Sequence, residues 1–514
     1  MLAKANSVGV LGIEGYPVEV EVDISEGLPA FSIVGLPDIA VKESIDRVRS
    51  ALKNSGFSFP RKRITVNLAP CDIKKEGPSF DLPIALGILQ ATGQLDAGSF
   101  REAVFCGELS LDGVLRPISG ILPRAMAVGK VFGREFIVPR GNAFEAAIVE
   151  RISVYAMRTL TETVRFLRGE LKREKIRVDM EKLWKENGHQ EGIDFRDVKG
   201  QPYAKRALEV AAAGGHNVLL IGPPGAGKTM LAKRLPTILS ALTVEEAIET
   251  TKIHSVCGYL TNRRHFLATR PFRAPHHTIS DAGLVGGTAH PKPGEVSLAH
   301  HGVLFLDELP EFKRNVLEVL RQPIEEGRVT ISRAENSVTY PAQFMLVCAM
   351  NPCPCGYLTD PKKECRCSPY QIERYYSRIS GPLLDRIDIH LEIPPLKYEE
   401  MIQEKGEESS KAVREKVIRT RTLQRKRYKE RGPEFCNALL GPKEIASHCT
   451  LSQEGKDLLR VAIQELGLSM RAYDRILKVA RTIADLEASQ DIQPSHLSEA
   501  IGYRNLDRTF RKLP

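Results

Sequence analysis

The chain has 514 residues, 42% hydrophobic and 27% charged, and a net charge of +9. That length accommodates two to four domains with cores of their own, and the composition is ordinary for a soluble globular protein. No stretch approaches the roughly 18 apolar residues of a membrane span and Met1-Leu2-Ala3-Lys4-Ala5-Asn6 has no signal-peptide core, so a cytoplasmic protein without a membrane partner is expected, while the mild positive balance fits a polyanion without requiring one.

Residues 1–165 mix short β-type runs with small helices. Phe31-Ser32-Ile33-Val34-Gly35-Leu36-Pro37 and Arg63-Ile64-Thr65-Val66-Asn67-Leu68-Ala69-Pro70 read as strands. With Lys75-Glu76-Gly77-Pro78-Ser79-Phe80-Asp81-Leu82 and Phe105-Cys106-Gly107-Glu108-Leu109-Ser110-Leu111-Asp112-Gly113 they form a pattern that resembles the proteolytic domain of Lon and the C-terminal domain of the RadA recombination protein. The resemblance implies an α+β domain with Ser79 where Lon has its nucleophile. The lysine that would serve as base is replaced by Leu122, and nearby Arg124 cannot deprotonate. An inactive, protease-like domain for ring assembly or DNA contact is therefore expected. Lys42, Arg47, Arg49, Lys53, Arg61, Lys62 and Arg63 give it a basic surface, which is also what an ordinary solvated face looks like. Residues 166–192 are polar and charged and read as a partly helical linker.

From 193 to 396 strands and helices alternate, as an α/β nucleotide-binding domain requires. The apolar run Asn217-Val218-Leu219-Leu220-Ile221 leads into Gly222-Pro223-Pro224-Gly225-Ala226-Gly227-Lys228-Thr229 and then the helix-forming Met230-Leu231-Ala232-Lys233. Strand, glycine-rich turn and helix start are the context of a P-loop. Residues Gly222, Pro223, Pro224, Gly225, Ala226, Gly227, Lys228, Thr229 and Met230 would cradle ATP, with Lys228 on the β- and γ-phosphates and Thr229 on Mg²⁺. Downstream, Gly302-Val303-Leu304-Phe305-Leu306 ends in Asp307-Glu308. This places two carboxylates at a sheet edge, Asp307 for the Mg²⁺ shell and Glu308 to polarise the attacking water. Between these motifs lie Arg273-Ala274-Pro275-His276-His277 and Leu284-Val285-Gly286-Gly287-Thr288; two adjacent histidines in one loop do not by themselves make a metal site. Gly327-Arg328-Val329-Thr330-Ile331-Ser332 and Ser337-Val338-Thr339-Tyr340 flank Arg333-Ala334-Glu335-Asn336 as a hairpin. Arg333 at its tip is a candidate for a phosphate backbone, or a solvated turn arginine.

Of ten cysteines, Cys71, Cys106, Cys257, Cys348, Cys436 and Cys449 are scattered and read as free thiols. Cys353, Cys355, Cys365 and Cys367 form C-x-C, nine residues, C-x-C. Four thiolates so close suit a closed, structural Zn²⁺ site. A disulfide pair is disfavoured in a reducing compartment, the spacing is not the usual one for an iron–sulfur cluster, and four unliganded thiols are the plainer alternative.

The stretch from Asp194-Phe195-Arg196-Asp197-Val198-Lys199-Gly200-Gln201 through the P-loop resembles AAA+ ATPases of the magnesium-chelatase-like branch. Together with Arg378-Ile379-Ser380-Gly381-Pro382-Leu383-Leu384-Asp385-Arg386-Ile387-Asp388 and the Lon-like block, it resembles the ComM/YifB family over nearly the whole chain. Members are bacterial, ring-forming motors, and ComM-type members are DNA branch-migration helicases of natural transformation. The resemblance implies an AAA+ core at 193–396, with the cysteine cluster at 353–367, and a helical lid at 397–514. It gives Asn351, after the strand Phe344-Met345-Leu346-Val347-Cys348-Ala349-Met350, as the sensor near the γ-phosphate. Arg386 matches the finger acting on a neighbour's nucleotide, and Arg471 the lid sensor, with Arg475 one turn on as its competitor. A finger in trans implies a homo-oligomer, expected to be a hexamer. The helix-2 insertion would be 273–288 and the hairpin would line the pore. Nine lysines and arginines with two acids between Arg414 and Arg431 add a basic helix for DNA, or simply an exposed one.

The reading is an ATP- and Mg²⁺-dependent hexameric motor on branched or three-stranded DNA, with Zn²⁺ as a structural ion. The alternatives are a chelatase-like ATPase remodelling a metal-inserting partner, an ATP-dependent Lon-like protease, and a nucleotide-gated DNA scaffold.

Overall fold

Buried and exposed residues alternate along Leu2–Leu11 and Glu14–Ser25, the period of strands covered on one face. The two pair antiparallel and open a seven-stranded mixed sheet in the order Ala30–Val34, Arg63–Ala69, Glu14–Ser25, Leu2–Leu11, Ala103–Phe105, Glu135–Pro139, Ser153–Met157. The almost wholly apolar helix Asp81–Ala91 lies buried in this region's core with Val20, Val22, Ile64, Val66 and Phe105. The computed structural model describes residues 1–96, 98, 103–131, 135–187, 192–260, 265–287, 292–332, 337–395, 408–432, 435–466 and 468–506.

The chain divides into two compact units, Met1–Gly188 with Val244–Ala268, and His189–Thr243 with Thr269–Pro514. Residues 244–268, expected from the sequence within the ATPase core, group with the first unit. There the helix Val244–Val256 ends against the protease-like region: Gly120 N–H donates to Ser255 O at 2.9 Å, and Ser255 Oγ donates to Glu145. Lys252 pairs with Glu14, and the ring of His265 stacks on Phe144. The segment read as a linker is also partly folded onto this unit: Ile176 N–H donates to Val154 O at 2.9 Å, and residues Met180–Asn187 form a helix.

In the second unit, Val218–Ile221, Val303–Leu306 and Met345–Met350 are buried at every position, as strands covered on both faces must be. They belong to a five-stranded parallel sheet in the order Phe272–Arg273, Val303–Leu306, Met345–Met350, Val218–Ile221, Ile389–Glu392. Counted along this unit the order is 2-3-4-1-5. The turns that follow the three inner strands therefore emerge at one carboxyl edge. Beyond the sheet the chain is helical: Ser410–Arg427, Pro442–His448, Gln453–Leu466, Met470–Leu486 and Pro494–Gly502. The helix Met470–Leu486 starts on Ser469, whose hydroxyl accepts from Ala472 N–H, and it buries Ile476, Leu477, Val479, Ala480 and Ile483. The expected hairpin is present, Arg328–Ser332 antiparallel to Ser337–Pro341; Arg333 lies outside the described residues.

Candidate functional site

Register brings the site together. Ile221 pairs with Met350 and Leu306 with Cys348, so Gly222 and Asn351 leave the sheet side by side, and Asp307 leaves the neighbouring strand at the same edge, level with Ala349. Gly222 is required by close approach: a Cβ there would lie 2.3 Å from Ile393 O. Lys228, 9% exposed, turns its ammonium back into the loop. It donates to Gly222 O at 2.6 Å, Pro223 O at 2.9 Å and Asn351 Oδ1 at 3.1 Å. Burial lowers its pKa, opposed by the negative charge of Asp307. Thr229 Oγ1 donates to Asp307 Oδ2 at 2.8 Å. Thus a hydroxyl and a carboxylate suited to one Mg²⁺, and an ammonium suited to phosphate oxygens, stand within one hydrogen-bonded cluster.

Glu308 follows in the left-handed region, φ 53, a conformation that costs a non-glycine residue about 1–3 kcal/mol and clusters at functional sites. Its carboxylate is half exposed, and Oε2 lies 3.2 Å from His277 Nδ1. In the sequence the His276–His277 pair raises only the question of a metal. Its neighbour is the acid expected to orient water, a relation that no spacing in the sequence signals. His276 instead faces Thr278, with Nδ1 3.0 Å from Oγ1. The base of this insertion is tied down by Arg273, which holds Glu295 through two contacts of 2.6 Å.

The arginines are placed less simply. Arg386 is 8% exposed, donates to Pro382 O at 2.6 Å and pairs with Glu325 at 2.6 Å, so its guanidinium is engaged within its own chain. Arg471 is exposed in the first turn of its helix. Arg475, its competitor, lies 2.9 Å from Asp388 Oδ1, a carboxylate with no solvent exposure. Arg475 is therefore committed to joining the helical region to the turn before strand Ile389–Glu392. Arg378, which opens the same motif, reaches Glu311 at 2.9 Å just beyond the acidic pair.

The four cysteines converge. Their sulfurs lie within 4.8 Å of one another, with Cys353–Cys355 at 3.3 Å and Cys365 3.6 Å from both. A tetrahedral Zn–S shell of about 2.3 Å has S···S edges near 3.8 Å, so the donor set fits the ion.

In the first unit Ser79 is 2% exposed, and its Oγ accepts from Arg124 Nη2 at 3.2 Å. The same guanidinium donates to Val8 O, Ser119 O and Gly120 O. Leu122 is fully buried. Lys75 Nζ is also buried, with no hydrogen-bond partner among the described residues, so no base is bonded to the serine. Nor is the basic surface wholly free, since Arg47 Nε lies 2.7 Å from the buried Asp81. On the helix Ser410–Arg427, Arg414 donates to Thr237 O, Lys416 pairs with Glu209 and Glu408, and Arg427 with Asp485. Lys411, Arg419, Lys426 and Lys429 remain exposed. No described helix is long and apolar enough to cross a membrane.

Comparison with known proteins agrees with this architecture. Residues 194–401 match the family model for the magnesium chelatase subunit ChlI, 20–142 a second model of that subunit, and 407–504 its C-terminal model. Competence protein ComM of Haemophilus influenzae is 48% identical over 517 aligned residues, covering 100% of this chain and 99% of that protein. The uncharacterized protein YifB of Salmonella typhimurium is 45% identical over 99% of this chain and 98% of its own length. Lon protease 2 of Bacillus subtilis is 28% identical over 126 residues, 24% of this chain and 22% of the protease. The chain belongs to the ComM/YifB family of magnesium-chelatase-like AAA+ ATPases.

Proposed function

We propose that this protein is an ATP-driven, ring-forming motor that acts on DNA and migrates branched or three-stranded junctions in recombination of the kind used by natural transformation. The observation that carries the ATPase part is the cluster of Thr229, Asp307, Lys228 and Asn351 at one sheet edge. Lys228 exchanges its carbonyl acceptors for β- and γ-phosphate oxygens when nucleotide enters. Thr229 and Asp307 would hold Mg²⁺, which would supply positive charge to the phosphates. Asn351 and Glu308 orient the attacking water. Arg386, released from Glu325, reaches a neighbouring subunit's nucleotide, and Arg471 reads it from the helical region. The DNA part draws on the full-length likeness to a competence protein and on the exposed lysines and Arg419 of the basic helix. Cys353, Cys355, Cys365 and Cys367 would hold one structural Zn²⁺.

The test is ATP-dependent conversion of a synthetic four-way junction into two duplexes. Wild type converts it; Lys228→Ala and Glu308→Gln do not, each losing at least about 100-fold in turnover. An intact ATPase indifferent to DNA would overturn the motor reading. It would favour a chelatase-like ATPase acting on a metal-inserting partner, the reading that the three family matches support. A protease is disfavoured because the Ser79 hydroxyl is buried and bonded to Arg124 rather than to a base.

A further inference from the structure

The segment from Pro352 to Ser368 crosses the nucleotide edge of the second unit without a helix or a strand. A run of this length has few backbone bonds of its own to fix its shape. It is pinned at both ends. Tyr376 Oη donates to Pro352 O at 2.9 Å, and Ser368 caps the helix Pro369–Tyr376, with Gln371 returning a bond to Ser368 N–H. Between these points the four sulfurs gather, and Cys355 N–H points at Cys367 Sγ, 3.4 Å away.

Gly356 closes the first knuckle. Its N–H donates to Cys353 O at 3.0 Å, and its φ is +86. What it faces is the P-loop. A Cβ at Gly356 would lie 2.7 Å from Pro224 Cδ and 2.8 Å from Pro224 Cγ, and 3.9 Å from Asn351 Cγ. Pro224 and Gly225 are otherwise exposed, so the knuckle backs a part of the phosphate loop that solvent surrounds. Asn351, two residues before Cys353, bonds to Lys228. One short turn therefore touches the phosphate loop at Pro224 and, through Asn351, its lysine.

We propose that the four-cysteine knuckle is a metal-dependent backrest for the P-loop, and that Gly356 is a positioning residue for ATP. With the metal bound, the turn 353–356 is rigid and Pro224 rests against Gly356, so the loop is held in its phosphate-cradling shape before nucleotide arrives. Without the metal, the four thiols cease to be joined, the turn loosens, and the loop must be ordered at the expense of nucleotide affinity. The inference rests on the readings that the cysteines hold Zn²⁺ and that Gly222–Thr229 binds ATP.

The experiment measures zinc content by metal analysis and affinity for a fluorescent ADP analogue, without turnover, on the full-length protein. Removing zinc with a chelator that spares Mg²⁺ is expected to weaken binding about tenfold, and adding zinc back to restore it. Gly356→Ala is expected to keep one zinc per chain yet weaken binding by a similar factor. Pro224→Ala removes the two ring carbons that the new Cβ meets. Gly356→Ala/Pro224→Ala should therefore bind more tightly than Gly356→Ala alone; strain from φ +86 alone would persist in the double variant. Purified protein with far less than one zinc per chain overturns the metal reading itself. Protein with full zinc whose nucleotide affinity is indifferent to chelation and to Gly356→Ala overturns the backrest while leaving the metal site standing. Failure of every form, wild type included, to bind the nucleotide overturns the ATP-site reading.

Discussion

Asp388 shows how much a single buried charge can organise. Burial alone would push its carboxyl up. Arg475 at 2.9 Å, His216 at 3.4 Å and nearby Lys478 outweigh burial and hold it well below the usual carboxylate range. Asn217 N–H donates to its other oxygen at 3.1 Å, linking this charge to the start of the P-loop strand. Asp388→Asn leaves Arg475 without its counter-charge, which costs about 3–5 kcal/mol when one member of a buried pair is removed. Urea denaturation at pH 7 checks this. Because the folded pKa is depressed, the contribution is present above the unfolded value of about 3.9 and is lost as pH falls toward the folded one. The gap between wild type and variant should therefore narrow on acidification; a gap that stays constant to low pH would assign the loss to packing. Asp388 was visible in its motif and Arg475 as a candidate sensor. That each is the other's partner was not legible, because 86 residues of chain lie between them.

Among elements, the helix Val244–Val256 departs most from linear reading. It lies between P-loop and acidic strand in sequence, yet its last turn is fastened to the first unit through Ser255, Glu145 and Gly120. Burial pushes the Glu145 carboxyl up to about 7, against hydrogen bonds from Ser255 and Leu122 N–H and the charge of Arg124. With the folded pKa above the unfolded value of about 4.3, stability from this group is full below the unfolded value and is lost as pH rises through about 7. Glu145→Gln keeps the acceptor and removes the proton. The variant should be flat in pH where wild type weakens, and more stable than wild type at pH 8 by about 3–4 kcal/mol. Urea midpoints at pH 5 and pH 8, read from the fluorescence of Trp184, the chain's single tryptophan, give the answer. Parallel pH curves would show that Glu145 is ionised in the fold. Trp184 belongs to the same unit, its ring 5.8 Å from Phe266.

At the scale of the whole molecule there are two units, each with its own apolar core. Unfolding is expected in two transitions rather than one. A nucleotide at 100 times its Kd should raise the stability of the ATPase unit by about 2.7 kcal/mol, with a smaller change in the Trp184 signal of the other. Calorimetry with and without ADP and Mg²⁺, with Trp184 fluorescence alongside, checks it; a single transition shifted as a whole would show one cooperative body. Residue identity and spacing by themselves determined the P-loop, the acidic strand end, the four-cysteine group and the helical final region. In each, the chemistry is local: a strand, a turn and a helix start within a few residues, or four ligands within fifteen. Tertiary structure alone decided which distant groups meet: the side chains of His277 with Glu308, Arg386 with Glu325 and Arg475 with Asp388, the backbone of Gly356 with the ring of Pro224, and the segment 244–268 with the first unit. Sheet order and packing set these contacts, and neither leaves a periodic trace in the sequence.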